Sequence, residues 1–176
     1  FTSEQHINLH IAFSLVIIFL QGIKLGDKSA KSKLRSVFMI ILLTVGIVTA
    51  AYIHVNSLRF QMTIGRQPFD KVFSGLIFLI VILIATQRTW GWIIPTIAII
   101  ALLYGYYGPY MPGIFFHSGL KFNRLITYVT TNFTGVYGML ASVSANTIVL
   151  FTLFGGLMDA FGAINSIMDV AMSVST

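Results

Sequence analysis

Residues 72–107 read VFSGLIFLIVILIATQRTWGWIIPTIAIIALLYGYY, 36 positions with one formal charge, Arg88. Two apolar runs, 72–87 and 92–107, flank Arg88, Thr89, Trp90 and Gly91. The pattern predicts two membrane-crossing helices joined by a tight hairpin turn. A membrane helix needs about 20 mostly apolar residues, within a range of about 17–25, so both runs are short for a full span. Trp90 and Trp92 fall at headgroup level, where amphipathic rings prefer to sit, and read as interface anchors.

Outward from this pair, residues 7–23, 36–54 and 135–158 supply three more apolar runs. The 176 residues are 56% hydrophobic and 9% charged, with mean hydropathy +0.87. Soluble domains are about 45–50% apolar and about 25% charged. So few charges cannot cover a water-facing surface, which excludes a soluble fold. The fold class expected is all-α: a polytopic membrane protein of about five spans plus an interfacial amphipathic helix, with the lipid bilayer as its first partner. There is no cysteine, which removes thiol redox catalysis, thiolate metal sites and disulfides.

The net charge of +6 is mostly one loop, since five of the eleven Lys and Arg fall between Lys24 and Arg35. Cytoplasmic loops carry the basic excess. With the N-terminus outside, the inner connections hold Lys24, Lys28, Lys31, Lys33, Arg35 and Arg88, and the outer ones hold Arg59, Arg66, Lys71, Lys121 and Arg124. The density of the first loop sets this orientation.

His6, His10, His54 and His117 then lie on the outer side. His6 and His10 are spaced i, i+4, which a metal can use, and His10 and His54 fall at similar depth on neighbouring helices. Haem or metal ligation follows as an alternative function, opposed by the lack of an accompanying carboxylate cluster. In the first outer loop, Leu58, Phe60, Met62 and Ile64 alternate with polar residues. This suits an extended interfacial segment, with a short interfacial helix as the alternative. In the second, Pro109, Pro112 and Gly113 end the fourth span. Phe122, Leu125, Ile126 and Val129 then recur at i, i+3, i+4, i+7, predicting an amphipathic helix on the outer surface with Lys121 and Arg124 toward water or lipid phosphate.

In the fifth run, Gly135, Gly138, Ser142, Ala145, Thr152, Gly156 and Asp159 form a stripe of small, weakly polar residues. Small residues let helix backbones approach closely in lipid, so the stripe is expected to be a buried helix contact. Ser142, Ser144, Asn146 and Thr147 bring hydrogen-bonding groups into the span, where an unpartnered polar group is expensive. They read either as interhelical glue or as the border of a transport path. Beyond Asp159, Phe161, Ile164, Ile167 and Met168 give the tail weak amphipathicity, with a turn at Gly162.

No span carries a charge near its middle, and no two acids are spaced for general acid–base work. Phosphate loops and nucleophile elbows are absent, so an enzyme has no residues to carry it. Nucleic-acid binding is excluded likewise, because the basic cluster is a membrane flank without interleaved aromatics.

Three stretches resemble the fused membrane permease of tripartite ATP-independent periplasmic (TRAP) transporters, the 4TM/12TM type paired with TAXI-type solute-binding proteins. The first is Thr86, Gln87, Arg88, Thr89 and Trp90 before Gly91 and Trp92, one Arg short of the family's pattern. The second is Leu103 and Tyr104 followed by Gly108, Pro109, Tyr110, Pro112 and Gly113. The third is Gly135 and Gly138 followed by Val143, Ser144 and Ala145, and His10, Ile11, Ala12 and Phe13 are similar to the start of an early span.

The resemblance implies a sodium-coupled secondary transporter for organic acids in a bacterial or archaeal cytoplasmic membrane, served by a periplasmic solute-binding protein. It divides the chain into a small-subunit-like region over 1–108, an outer loop and amphipathic helix over 109–134, and the start of a large-subunit-like transport region over 135–176. The sodium- and substrate-holding hairpins of the family would follow Thr176, so the chain is expected to be an N-terminal, scaffold-forming fragment. The remainder of the large permease subunit would then be its partner, and no family binding residue transfers to it. Arg59, Arg66, Lys121 and Arg124 are the candidates for docking the binding protein, or for anchoring lipid phosphate. The alternative, a haem-binding or assembly subunit of a membrane redox complex using His10 and His54, would show a Soret band.

Overall fold

The computed structural model describes residues 2–23, 30–63, 65–163, 168 and 172. Among them every regular element is helical. Five helical stretches are long and apolar enough to cross a membrane: Ser3–Gly22, Lys33–Val55, Phe69–Trp90, Ile93–Tyr110 and Met139–Ala160. The chain is an all-α, multi-pass membrane protein. It divides into two compact units, Phe1–Gly138 and Met139–Thr176.

In the first unit, α1 (Ser3–Gly22) begins earlier than hydropathy indicates because its polar first turn is capped. The Thr2 hydroxyl accepts from Gln5 N–H at 3.3 Å, and Gln5 Oε1 accepts from Thr2 N–H at 3.0 Å, a reciprocal capping box. α2 (Ala30–Val55) packs along α1, and α4 (Phe69–Trp90) packs on both. At 22 residues α4 is a full span, about 33 Å long. The apolar run understated it, because Phe69, Asp70 and Lys71 begin the helix behind Pro68 and Arg88, Thr89 and Trp90 extend it. The hairpin turn shrinks to Gly91 and Trp92, and the Gly91 φ of 75° suits glycine. α5 (Ile93–Tyr107) then returns along α4. Trp90 and Trp92, beside the turn, are both exposed.

Residues 58–64 do not form an extended segment. α3 (Ser57–Met62) is a short helix that buries Ser57 and Phe60, one turn apart, while Leu58 and Met62 are exposed. Ile64 lies outside the described residues. A six-residue alternation is too short to fix a period; what favours the helix is that its final carbonyls find a donor, described below.

The amphipathic helix forms as the periodicity predicts. α6 (Phe122–Val129) buries Leu125, Ile126 and Thr127 against α4 and α5. Gly75 of α4 permits this contact: a Cβ there would overlap the Thr130 hydroxyl and approach Thr131 Cγ2 to 3.3 Å. Gly75→Leu is therefore expected to cost about 1–3 kcal/mol through overpacking. Thermal unfolding in detergent measures it, and an unchanged midpoint would mean that α6 gives way freely.

Residues 130–138 fold back as an irregular turn, with Asn132 N–H donating to Thr127 O and Val136 N–H to Val129 O at 2.7 and 2.8 Å. Irregular backbone within a membrane protein must be satisfied by the protein itself. Tyr137 locks this turn to the bundle. Its ring stacks on Phe78 of α4 at 6.0 Å and meets Phe133 edge-on at 5.0 Å. Its hydroxyl donates to Asn8 Oδ1 at 2.6 Å, and Asn8 Nδ2 donates to Ala50 O at 2.9 Å. One buried relay thus ties the turn to α1 and α2. Burial raises the Tyr137 phenol above the ordinary tyrosine range.

The second unit holds α7 (Met139–Val143), a π-helix over Ser144–Ile148, and α8 (Val149–Ala160). Gly135 and Gly138, the head of the small-residue stripe, are not helical and belong to the preceding turn. They sit there because Val136 bonds back to Val129 O and Gly138 N–H bonds to Gly135 O. α8 ends at Ala160 and is followed by a turn at Gly162, where φ is 70°. Ile164 and Ile167 lie outside the described residues.

Candidate functional site: the cationic rim and the π-turn

Five cations, Arg59, Arg66, Lys71, Lys121 and Arg124, lie on α3, the start of α4, the start of α6 and the 65–68 loop, and they divide into those engaged by the protein and those turned to solvent. Lys71 is fully buried. Its ammonium donates to Phe60 O at 2.7 Å and Thr63 O at 3.3 Å, with the Phe60 ring centroid 5.8 Å away. These carbonyls close the C-terminal turn of α3, the negative end of its dipole. Lys71 therefore fastens α3 to α4 as a buried cation on helix-end carbonyls. The neighbouring Asp70 pairs with Arg59, Nη2 to Oδ2 at 2.6 Å, and accepts from the Tyr52 hydroxyl at 3.2 Å. Arg59 is thus already neutralised, although its side chain stays half-exposed.

The remaining docking candidates keep their charge toward solvent. Arg66, Lys121 and Arg124 are exposed. Lys121 and Arg124, with Gly65, Gln67 and Asn123, line a cleft of about 300 Å³. Gln67 Oε1 accepts from the Thr127 hydroxyl, which holds the 65–68 loop against α6 and gives the cleft its floor. The sequence located these cations but missed the role of Lys71. The signal was available: Lys71, Ser74, Gly75 and Phe78 follow i, i+3, i+4, i+7, so the lysine shares the buried face.

The Leu103–Gly113 motif folds as a buckle around His117. Gly119 N–H donates to His117 Nδ1 at 3.0 Å, so the ring carries its proton on Nε2, which donates to Tyr104 O at 3.1 Å. The Tyr104 ring meets the imidazole edge-on at 4.6 Å, and its hydroxyl donates to Phe115 O at 3.1 Å. Both ring nitrogens of His117 are thereby committed to structure. Comparison with protein-family models, curated proteins and solved structures finds no match for this chain.

In the second unit the polar cluster coincides with the π-helix. Val149 N–H bonds to Ser144 O, five residues back, and Asn146 Nδ2 donates to Ser142 O at 2.9 Å and to Ser142 Oγ at 3.2 Å. Thr147 lies inside the same turn and is exposed. Single π-turns occur mostly within α-helices, frequently at functional sites. The sequence identified Ser142, Ser144, Asn146 and Thr147 by their polarity, and the widened turn is the backbone feature it did not reveal. Among the described residues no three His, Cys, Asp or Glu side chains gather as a metal site would need.

Proposed function

We propose that this chain is the scaffold-forming, N-terminal part of a TRAP-type permease, a sodium-coupled carrier of organic acids delivered by a periplasmic solute-binding protein. The observation that carries the reading is the family-like stretch from Leu103 to Gly113. Tyr104 embraces His117, and Gly108 leaves the space in which the imidazole sits, a Cβ there overlapping the ring. The motif residues thus have a definite structural task at the membrane surface. Under the orientation proposed from the basic loop, the cleft of Lys121 and Arg124 faces the binding protein, with Arg66 beside it on the same rim.

Rim charges steer encounter more than they fix affinity. In the full-length transporter with its binding protein, the Lys121→Glu, Arg124→Glu double variant is expected to slow sodium-driven organic acid uptake about three- to tenfold at low salt. The difference should shrink as salt rises. Arg59→Glu is expected to act mainly through stability, since it sets two acids against each other at Asp70. Uptake that ignores the double variant at every ionic strength would remove the docking role. Absence of sodium-driven uptake would remove the transporter reading, and a Soret band in the purified protein would replace it with the haem-binding one.

A further inference from the structure

The opposite end of the bundle, where α1 and α4 finish and α2 begins, encloses a pocket of about 620 Å³. Its polar lining includes Arg35, Arg88, Gln21 and Gln87, and among the described residues no acid lines it. Its apolar wall includes Phe38 and Ile84, residues of the membrane-crossing helices α2 and α4. Arg88 is seated by a specific contact. Gly22, buried at the end of α1, lies so close beneath the guanidinium that a Cβ there would stand 2.6 Å from Arg88 Nε and Nη2. The arginine is laid across the end of α1, half-buried, while Arg35 approaches from α2 with its side chain exposed.

Among the described residues neither arginine has a carboxylate partner. Among the described residues, two positive charges thus share one concavity with two side-chain amides and no compensating anion. The C-terminal carbonyls of α1 and α4 favour a cation there but supply only partial charge. What completes such a site is an anion that accepts several hydrogen bonds at once, and guanidinium forks match phosphate oxygens in this way. The arginines stand beside Phe38 and Ile84 of the membrane-crossing helices, so an anion carried on an acyl chain meets both the charges and the apolar side chains.

We propose that this pocket binds the phosphate headgroup of an anionic membrane lipid, with Arg88 and Arg35 on the phosphate and the acyl chains lying along Phe38 and Ile84. Basic pockets between membrane helices are known to take anionic lipid headgroups in this manner. The site depends only on membrane residence and stands whether or not the chain belongs to a transporter.

The test is thermal unfolding of the purified protein in a neutral detergent, titrated separately with short-chain phosphatidylglycerol, short-chain phosphatidylcholine and inorganic phosphate. Phosphatidylglycerol is expected to raise the midpoint saturably. Phosphatidylcholine, whose choline brings its own positive charge toward the arginines, should do so weakly. Arg35→Gln, at an exposed position, is expected to fold normally and to weaken the apparent phosphatidylglycerol affinity about tenfold, the loss of one charge-assisted contact. Arg88→Gln should weaken it further, while Arg88→Lys should retain part of it. Native mass spectrometry of the same samples keeps the question decidable if Arg88→Gln unfolds, because retention of lipid by wild type and loss of it by Arg35→Gln reads the site directly. The proposal is overturned if Arg35→Gln binds phosphatidylglycerol as wild type does, if both lipids act equally, or if inorganic phosphate alone gives the full shift.

Discussion

Lys71→Glu is expected to leave almost no folded protein to purify, whereas Lys71→Met is expected to fold with a loss of about 1–3 kcal/mol. The ammonium of Lys71 is buried on Phe60 O and Thr63 O, while the neighbouring Asp70 is engaged by Arg59 and Tyr52. Methionine fills similar volume and removes the cost of desolvating a charge, but it takes the charged donor from both carbonyls, leaving Phe60 O with Thr63 N–H and Thr63 O with Arg66 N–H, and that loss is the larger effect. Glutamate does worse on both counts: it buries an anion against two carbonyl oxygens at the negative end of α3. An uncompensated buried charge of this sort costs about 3–5 kcal/mol, comparable with a substantial share of a marginal stability of about 5–15 kcal/mol. Monodisperse yield and the unfolding midpoint, compared for wild type and both variants, decide it. Equal yield of Lys71→Glu would mean that α3 is dispensable to the fold.

The same residue shows what the sequence could and could not disclose. Span number and the amphipathic α6 were legible because apolar length and a 3.6-residue period are written directly into the chain. The burial of Lys71 was not, because a lysine at the end of an apolar run has the same local pattern whether it serves topology or satisfies carbonyls from another helix. Its partners, Phe60 and Thr63, are contributed by α3, whose own period-two pattern pointed to an extended segment. The two misjudgements share a cause: each half of the contact is ambiguous alone, and the pairing resolves both. Arg59 was read as an available cation for a similar reason, since its neutralisation by Asp70 depends on how α3 meets α4. Polar content in the fifth span was visible at Ser142, Ser144, Asn146 and Thr147, but a π-turn has no spacing signature of its own.

The second large effect is expected at Tyr137, two residues before α7 begins. Tyr137→Ala should cost about 3–5 kcal/mol, the range for deleting a buried aromatic ring, because it removes the surface that Phe78 and Phe133 pack against. Tyr137→Phe keeps the ring and removes only the hydroxyl, so it should cost about 1–2 kcal/mol by leaving Asn8 Oδ1 unpaired. The ring outweighs the hydrogen bond, as expected where interhelical hydrogen bonds couple by only about 0.6–1.7 kcal/mol. Alkaline titration provides an independent check. Burial raises the folded phenol, so above the ordinary tyrosine value of about 10 the unfolded chain ionises while the folded one cannot. Stability from this group is therefore complete below about pH 10 and declines as pH rises further. Phenolate absorbance is expected to show a fraction withheld until the protein unfolds, and Tyr137→Phe is expected to reduce that fraction. If Tyr137→Phe leaves that fraction unchanged, Tyr137 is not held buried and the relay from Tyr137 through Asn8 to Ala50 does not hold the turn.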